Sequence, residues 1–400
     1  MKHFTSYHLW LYTDVHFGKG AEALAGEMVK KYGGTKVLLV YGRASAKKSG
    51  LYDRVAESLQ KSRIPFVDFG GVRENPVRSD VERGIALSRS EKIDFLLAVG
   101  GGSVIDTAKG IALGLKYPGP FHDLHAKRAV PTSMERVGVI PTIAAAGSEM
   151  SAACVIVDDV ETGLKQGVTT PGVEQPVFCL LNPELTYGVS PYQTGAGAAD
   201  NLSHTLERYF VRSKCSFGDE LALGLMRTVV RYGPAAVKKP DDYEARAELQ
   251  LTAAFSHNGL TNMGHDDCLF PIHGLESWLS GHYNTAHGAG LAVLMPAWME
   301  SICESGDHDV LARVARLGEA VFGVPCDCED LPWTAEETIR RFRGWLHGMG
   351  MPLTLKELGI PPEDIPRIAE KVAFNREGVL PGYVNLTRDD VVRLYNRVAQ

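Results

Sequence analysis

Between Lys36 and Thr142 short β-branched apolar runs alternate with stretches of helical periodicity. "KVLLVYG" (36–42), "IPFVDFGG" (64–71), "IDFLLAVGGG" (93–102) and "RVGVIPT" (136–142) read as buried strands. "KSGLYDRVAESLQKSR", "VRSDVERGIALSRSEK" and "SVIDTAKGIALGL" lie between them as helices. Such alternation with tight glycine turns requires βαβ units, and these build a parallel sheet with helices on its faces. After about residue 190 the pattern changes. "SPYQTGAGAADNLSHTLERYFV", "GDELALGLMRTVVRYGPAAVKK" and "YEARAELQLTAAFSHNGL" are helical, and no strand pattern follows them. Pro and Gly interrupt the periodicity in "LLNPELTYGVSP" (180–191). The expectation is an α/β domain over residues 1–189 and an all-helical domain over 190–400.

A chain of 400 residues suits two such domains. Its net charge of −6 and the absence of a basic run argue against a nucleic-acid binder. The start, "MKHFTSYHLWLYTDVHFGKG", lacks the apolar stretch and cleavage site of a signal peptide. No apolar run reaches the roughly 20 residues that a membrane helix needs. The seven cysteines are scattered, which fits reduced thiols in a cytoplasmic protein. Only Cys326 and Cys328 are close, and no second pair completes a zinc site with them.

Three stretches carry chemistry. "AVGGGSVIDTAKG" (98–110) is a strand, three glycines and a helix starting near Ser103. The glycines permit a sharp turn and close approach, and the helix start offers free N–H groups to a phosphate. The spacing is not G-x-G-x-x-G, so the common dinucleotide fingerprint does not apply. In "GAADNLSHTLERYF" (197–210), Asp200 and His204 are one helical turn apart on one face, as an O and an N ligand to one ion would be. Alone, such a pair is more often a surface hydrogen bond. The third stretch, "HGLESWLSGHYNTAHGAG" (273–290), holds His273, His282 and His287. On one straight helix His273 and His287 would share a direction but stand about 21 Å apart. They can share an ion only if the helix ends between them, and the Gly and Asn of "GHYNT" suit a helix terminus. His282 would face the other way. Asp200, His204, His273 and His287 together make one carboxylate and three imidazoles, a set suited to Fe²⁺ or Zn²⁺.

These motifs, in this order, resemble the iron-containing (group III) alcohol dehydrogenases, nearest their butanol dehydrogenase branch. The resemblance spans nearly the whole chain. It rests on "FGKG" (17–20), "ENP" (74–76), "GGGSVIDTAK" (100–109), "PTIAAAGSE" (141–149), "NPELTYGVSPYQTGAGAADNLSHTLE" (182–207), "HGAGLAVLMP" (287–296) and "MGMPLTLKELGI" (349–360). It implies a Rossmann-like N-terminal domain with a parallel sheet, an all-helical C-terminal domain of dehydroquinate synthase-like fold, and an active site in the cleft between. Carried over by position, the metal ligands are Asp200, His204, His273 and His287. The dinucleotide would contact Gly101, Gly102, Ser103 and Asp106, with Asn75, Thr142 and Lys165 near it. The implied reaction is metal-dependent hydride transfer between NAD(P)(H) and a small alcohol or aldehyde, in a homodimer or larger assembly. Alternatives on the same frame are a dehydroquinate-synthase-like lyase, a polyol or polyol-phosphate (glycerol-dehydrogenase-like) enzyme, and a catalytically impaired binding protein.

Two local features refine this. The family usually has a further histidine four residues after the third ligand, and here that position is Ser277. The turn "VYGRASAKKSG" (40–50) has no acid to accept the ribose 2′-OH of NAD. Gly42 leaves room there, and Arg43, Ser45, Lys47 and Lys48 offer positive charge and a hydroxyl. NADP(H) is therefore expected ahead of NAD(H).

Overall fold

The computed structural model describes residue 7 and residues 9–265, 268–325, 327 and 329–400. Cys326, Cys328 and the two acids of "GHDDC" lie outside them. The chain divides into two compact units, Trp10–Val189 and Ser190–Gln400, and the described residues before Trp10 group with the second.

The first unit opens with β1 (Asp14–Phe17), α1 (Ala25–Lys31), β2 (Val37–Gly42), α2 (Ser45–Lys48) and α3 (Leu51–Lys61). It continues with β3 (Phe66–Val72), α4 (Arg78–Glu91), β4 (Phe95–Gly100), α5 (Gly102–Lys116) and α6 (Phe121–His125). Then come β5 (Arg136–Pro141), β6 (Ala153–Val157), β7 (Lys165–Thr169) and β8 (Phe178–Leu181). Six strands form one sheet in the order β1-β8-β5-β4-β2-β3, every pairing parallel. Residues alternate faces along a strand. Val37, Leu39 and Tyr41 of β2, with Phe95, Leu97 and Val99 of β4, join Met28 and Val29 of α1 and Val55 and Leu59 of α3 in one core. Leu38, Val40, Leu96 and Ala98, which point to the other face, are equally buried. Burial on both faces explains why these strands read as unbroken apolar runs. Each such side chain contributes about 1.5–3 kcal/mol.

β2 lies between β3 and β4, so the chain reverses direction across the sheet there. Loops from neighbouring strand ends diverge at such a point and leave a crevice beyond the C-terminal edge. Gly42 ends β2, and Gly100 ends β4 on the other side of that crevice. Three features escaped the sequence pattern. β1 and β8 are four residues each, and β6 and β7 form a separate antiparallel hairpin.

The second unit is built from α7 (Pro191–Tyr209), α8 (Ser216–Lys238), α9 (Tyr243–Ser256), α10 (Pro271–Tyr283) and α11 (His287–Cys303). α12 (His308–Phe322), α13 (Leu331–Gly348), α14 (Ile365–Lys371) and α15 (Arg388–Arg397) complete its helices. The all-helical expectation needs one correction. Val379–Leu380 (β9) pairs antiparallel with Leu386–Thr387 (β10), too short a ladder for periodicity to register. α7 is the central helix. Ser190 caps it through the Gln193 N–H, Pro191 starts it, and it is buried from Thr194 to Tyr209. Its small residues admit close neighbours. A Cβ at Gly288 of α11 would stand 1.9 Å from the Ala196 carbonyl oxygen, so only glycine lets the start of α11 meet α7 there.

The first unit also buries Lys109, whose ammonium donates to Ser148 Oγ (3.2 Å) and to the carbonyls of Ser151 (2.9 Å) and Ala153 (3.0 Å). Glu149 and Glu174 are buried around it, and burial, only partly offset by Lys109, pushes each carboxyl up to about 7. A folded-state pKa above the unfolded value of 4.5 means that rising pH ionises the unfolded chain first. The stabilising contribution is therefore complete below about pH 4.5 and is lost as pH rises to about 7. Glu149→Gln removes that loss, which is on the order of 3 kcal/mol. Thermal melts near pH 4.5 and pH 8 should show the variant gaining on the native protein at the higher pH. An equal difference at both would mean that Glu149 is ionised in the fold.

Candidate metal centre and dinucleotide crevice

α10 begins at Pro271 and is capped by Asn284, which takes the left-handed conformation (φ 53°) that closes a helix. α11 begins three residues later with His287 as its first residue. The chain folds back at "GHYNT", and His273 and His287, far apart on any single helix, come side by side with ring centroids 5.2 Å apart. His273 also lies against His204, at 4.6 Å.

Asp200 is at the centre. Its Oδ1 is 3.4 Å from His204 Nδ1, 3.8 Å from His273 Nε2 and 4.0 Å from His287 Nε2. Ligand atoms of Asp200, His204 and His273 all lie within 4.8 Å of one another. His287 completes the ring as its most exposed member, with 26% of its side chain accessible. Asp200 Oδ1, His204 Nδ1 and His273 Nε2 are buried and have no hydrogen-bond partner. Buried polar atoms are nearly always partnered, so three converging exceptions need a common explanation. Asp200 and His204 offer lone pairs, His273 offers one on giving up its Nε2 proton, and one divalent cation satisfies all three. The residues present thus fit the ion that the sequence implied. Burial would raise the Asp200 carboxyl, but His204, His287 and His273 hold it well below the carboxylate range. Burial drives His204 well below its ordinary value, which keeps it neutral. For His273, burial works downward but is outweighed by Glu207 and Asp200, which push it up to about 9.

His282 stands apart. It is exposed and stacks on Trp278 at 4.3 Å. Ser277 is half-buried, one turn beyond His273 on α10.

Four residues at this centre were missed in the sequence. The Nδ1–H of His273 is held by Glu207 Oε2, and that of His287 by Glu276 Oε2. Spacing could have flagged both: Glu207 is two turns after Asp200, and Glu276 is three residues after His273. The ring of His257 packs edge-on against His204 at 4.2 Å, and Arg208 donates to the His204 carbonyl (2.8 Å), Asn262 Oδ1 (2.6 Å) and His257 Nδ1 (3.3 Å). His257 follows the end of α9, and no local pattern connects it to His204.

A second acidic group, His122, Asp158 and Glu161, also has ligand atoms close together. There the Arg78 guanidinium already donates to all three, at 2.9, 3.1 and 3.0 Å, so a cation occupies the position that a metal would need.

In the first unit, most of the expected dinucleotide contacts follow the C-termini of strands. Gly101 is the residue before α5 and Gly102 its first, followed by Ser103. A Cβ at Gly101 would come within 2.9 Å of Ile143, and one at Gly100 within 2.6 Å of Val104. Thr142 follows β5, with its N–H on the Gly100 carbonyl (3.1 Å). Asn75 follows β3 with a positive φ of 52°, and Lys165 opens β7. Gly42 has open space: a Cβ there would be 3.9 Å from its nearest neighbour, Val104. Ser45 starts α2 and is exposed to solvent. Two of the expected contacts also have partners within the protein. Asp106 is turned inward: its carboxylate accepts from Ser148 Oγ (2.5 Å) and the Val155 N–H (3.0 Å), bracing the loop wall. Lys47 lies over the rings of Tyr41 (5.1 Å) and Tyr52 (4.7 Å), which leaves Arg43 and Lys48 as the freer cations of that turn.

Comparison with known proteins places the chain in a family. The model of the iron-containing alcohol dehydrogenase family matches residues 13–183, and that of the family's C-terminal region matches residues 194–399. NADH-dependent butanol dehydrogenase A of Clostridium acetobutylicum is 36% identical over 386 residues, covering 96% of this chain and 97% of that protein. The NADPH-dependent aldehyde reductase YqhD of Escherichia coli is 31% identical, with the same coverage. The crystal structure of NADH-dependent butanol dehydrogenase A from Thermotoga maritima superposes with a TM-score of 0.93 at 34% identity, covering 100% of both chains. Matching in both halves and along its full length, the chain belongs to the iron-containing alcohol dehydrogenase family.

Proposed function

We propose that this protein reduces a small aldehyde, and oxidises the corresponding alcohol, with NADP(H) preferred over NAD(H) and with a divalent ion, Fe²⁺ ahead of Zn²⁺, held by Asp200, His204, His273 and His287. As a member of its family it is an NAD(P)-dependent oxidoreductase acting on CH–OH groups. The observation that carries the metal assignment is the convergence of three buried, unpartnered lone-pair atoms on one point.

When bound, the ion supplies Lewis-acid polarisation of the substrate oxygen, and the nicotinamide supplies or accepts the hydride. The protein supplies position. Neutral His204 offers its lone pair, and ionised Asp200 supplies negative charge among the four ligands. The N–H groups of Gly102 and Ser103 open α5 and suit the pyrophosphate. Gly101 and Thr142 adjoin that turn, and Asn75 and Lys165 are assigned to the same dinucleotide. Ser277 can pass a proton but does not take up charge as an imidazole does. Proton transfer to the substrate oxygen therefore runs through water or the dinucleotide ribose.

What supports NADP(H) is the turn after β2: Gly42 with open space, no acid, and Arg43 and Lys48 exposed. A cytoplasmic location agrees with the five free cysteines among the described residues. No described helix is long and apolar enough to cross a membrane. A homodimer or larger assembly agrees with β1 at the sheet edge and with the exposed Trp10, Leu11, Tyr12 and Phe17 beside it.

Two experiments test these assignments. Alanine at Asp200, His204, His273 or His287 should each abolish bound metal and aldehyde reduction, whereas His282→Ala should retain both. Metal analysis of the five purified proteins decides the matter, and a metal-loaded His273→Ala would refute the ligand set. For the dinucleotide, kcat/KM with NADPH should exceed that with NADH. Gly42→Asp should reverse the order, since a carboxylate beside the 2′-phosphate need cost only about 1.4 kcal/mol to change the ratio tenfold. Better use of NADH by the native enzyme would overturn the preference.

A further inference from the structure

We propose that Glu207 and Glu276 are positioning residues that make the metal centre bind tightly, each by locking one histidine with its Nε2 lone pair turned toward Asp200; this rests on the ligand assignment above. Both glutamates are fully buried. Glu207, on α7, holds His273 Nδ1 with Oε2. Its Oε1 accepts the main-chain N–H groups of Ile272 (2.6 Å) and His273 (3.4 Å) at the start of α10. One side chain thus fixes the ring and the helix end that carries it. Glu276, on α10, holds His287 Nδ1 with Oε2, which also accepts from Ser280 Oγ (3.2 Å). Space for this carboxylate comes from α11: a Cβ at Gly290 would lie 2.7 Å from Glu276 Oε1 and 2.8 Å from its Cγ.

A carboxylate oxygen held against each Nδ1 keeps the hydrogen on that nitrogen, so each Nε2 is the one whose lone pair an ion takes, displacing any proton there. Those are the nitrogens that face Asp200 from His273 and His287, whereas His204 presents Nδ1. The two glutamates therefore select the metal-binding nitrogen and the ring orientation, and they place acceptor oxygens behind two of the ligands. Removing such a partner typically weakens metal binding about 10–100-fold.

The test is the affinity of metal-free protein for Zn²⁺, and for Fe²⁺ under anoxic conditions, measured by competition with a chromophoric chelator. Glu276→Gln keeps an acceptor oxygen and should raise Kd about 10-fold, Glu276→Ala should raise it further, and Gly290→Ala, which displaces the same carboxylate, should also raise it. Glu207→Gln should act likewise through His273. NADPH binding, which uses the other unit, should be unchanged throughout and reports a folded protein. A purely structural role would lower the melting temperature of the metal-free variants without changing Kd. Affinities within about two-fold of native for Glu276→Ala and Gly290→Ala, with His273→Ala binding no metal, would overturn the proposal and leave the ligand set standing. Native-like affinity in His273→Ala would instead overturn the ligand set itself.

Discussion

A carboxylate buried inside a helical unit is costly unless charge or hydrogen bonds compensate it, and Asp200 has no hydrogen-bond donor on Oδ1. Its compensation is the ring of imidazoles, which come from three different helices. α7 supplies His204 one turn away; α10 and α11 bring His273 and His287 from beyond the bend at Asn284. Much of the helical packing follows from that requirement. The start of α11 can stand beside Asp200 only because Gly288 lets it meet the backbone of α7 at Ala196. Gly290, one half-turn on, makes room for the glutamate that holds His287.

The first unit solves a different problem. Its parallel strands are buried on both faces, so polar chemistry is confined to loops at the strand ends. The position of β2 between β3 and β4 opens the crevice, and the glycines of the β4–α5 turn let a ligand approach the backbone. Asp106, on α5, has its carboxylate held by Ser148 and Val155, so it braces the wall beside that turn.

Legibility in the sequence followed the range of the interaction. The βαβ succession, the glycine turn and the i,i+4 relation of Asp200 and His204 are local, and local periodicity reveals them. The same holds for the end of α10, where an asparagine able to adopt positive φ marks the bend. The short strands β1 and β8, the β6–β7 hairpin and the β9–β10 ladder left too few residues to show a period. The stacking of Lys47 on Tyr52 was not legible in the turn, because Tyr52 comes from another element and from beyond it.

The sequence alone determined the class of each unit, the four candidate ligands and their chemistry, because composition, periodicity and family motifs are properties of the chain order. It could also state that His273 and His287 need a bend to meet. Only the tertiary structure decided that they do meet, that Glu207 and Glu276 orient them, and that His257 and Arg208 back His204. These relations join residues from different helices, and which helix faces which is set by side-chain volume and backbone approach at sites such as Gly288. No spacing along the chain encodes that distance, because it exists only once the helices have packed.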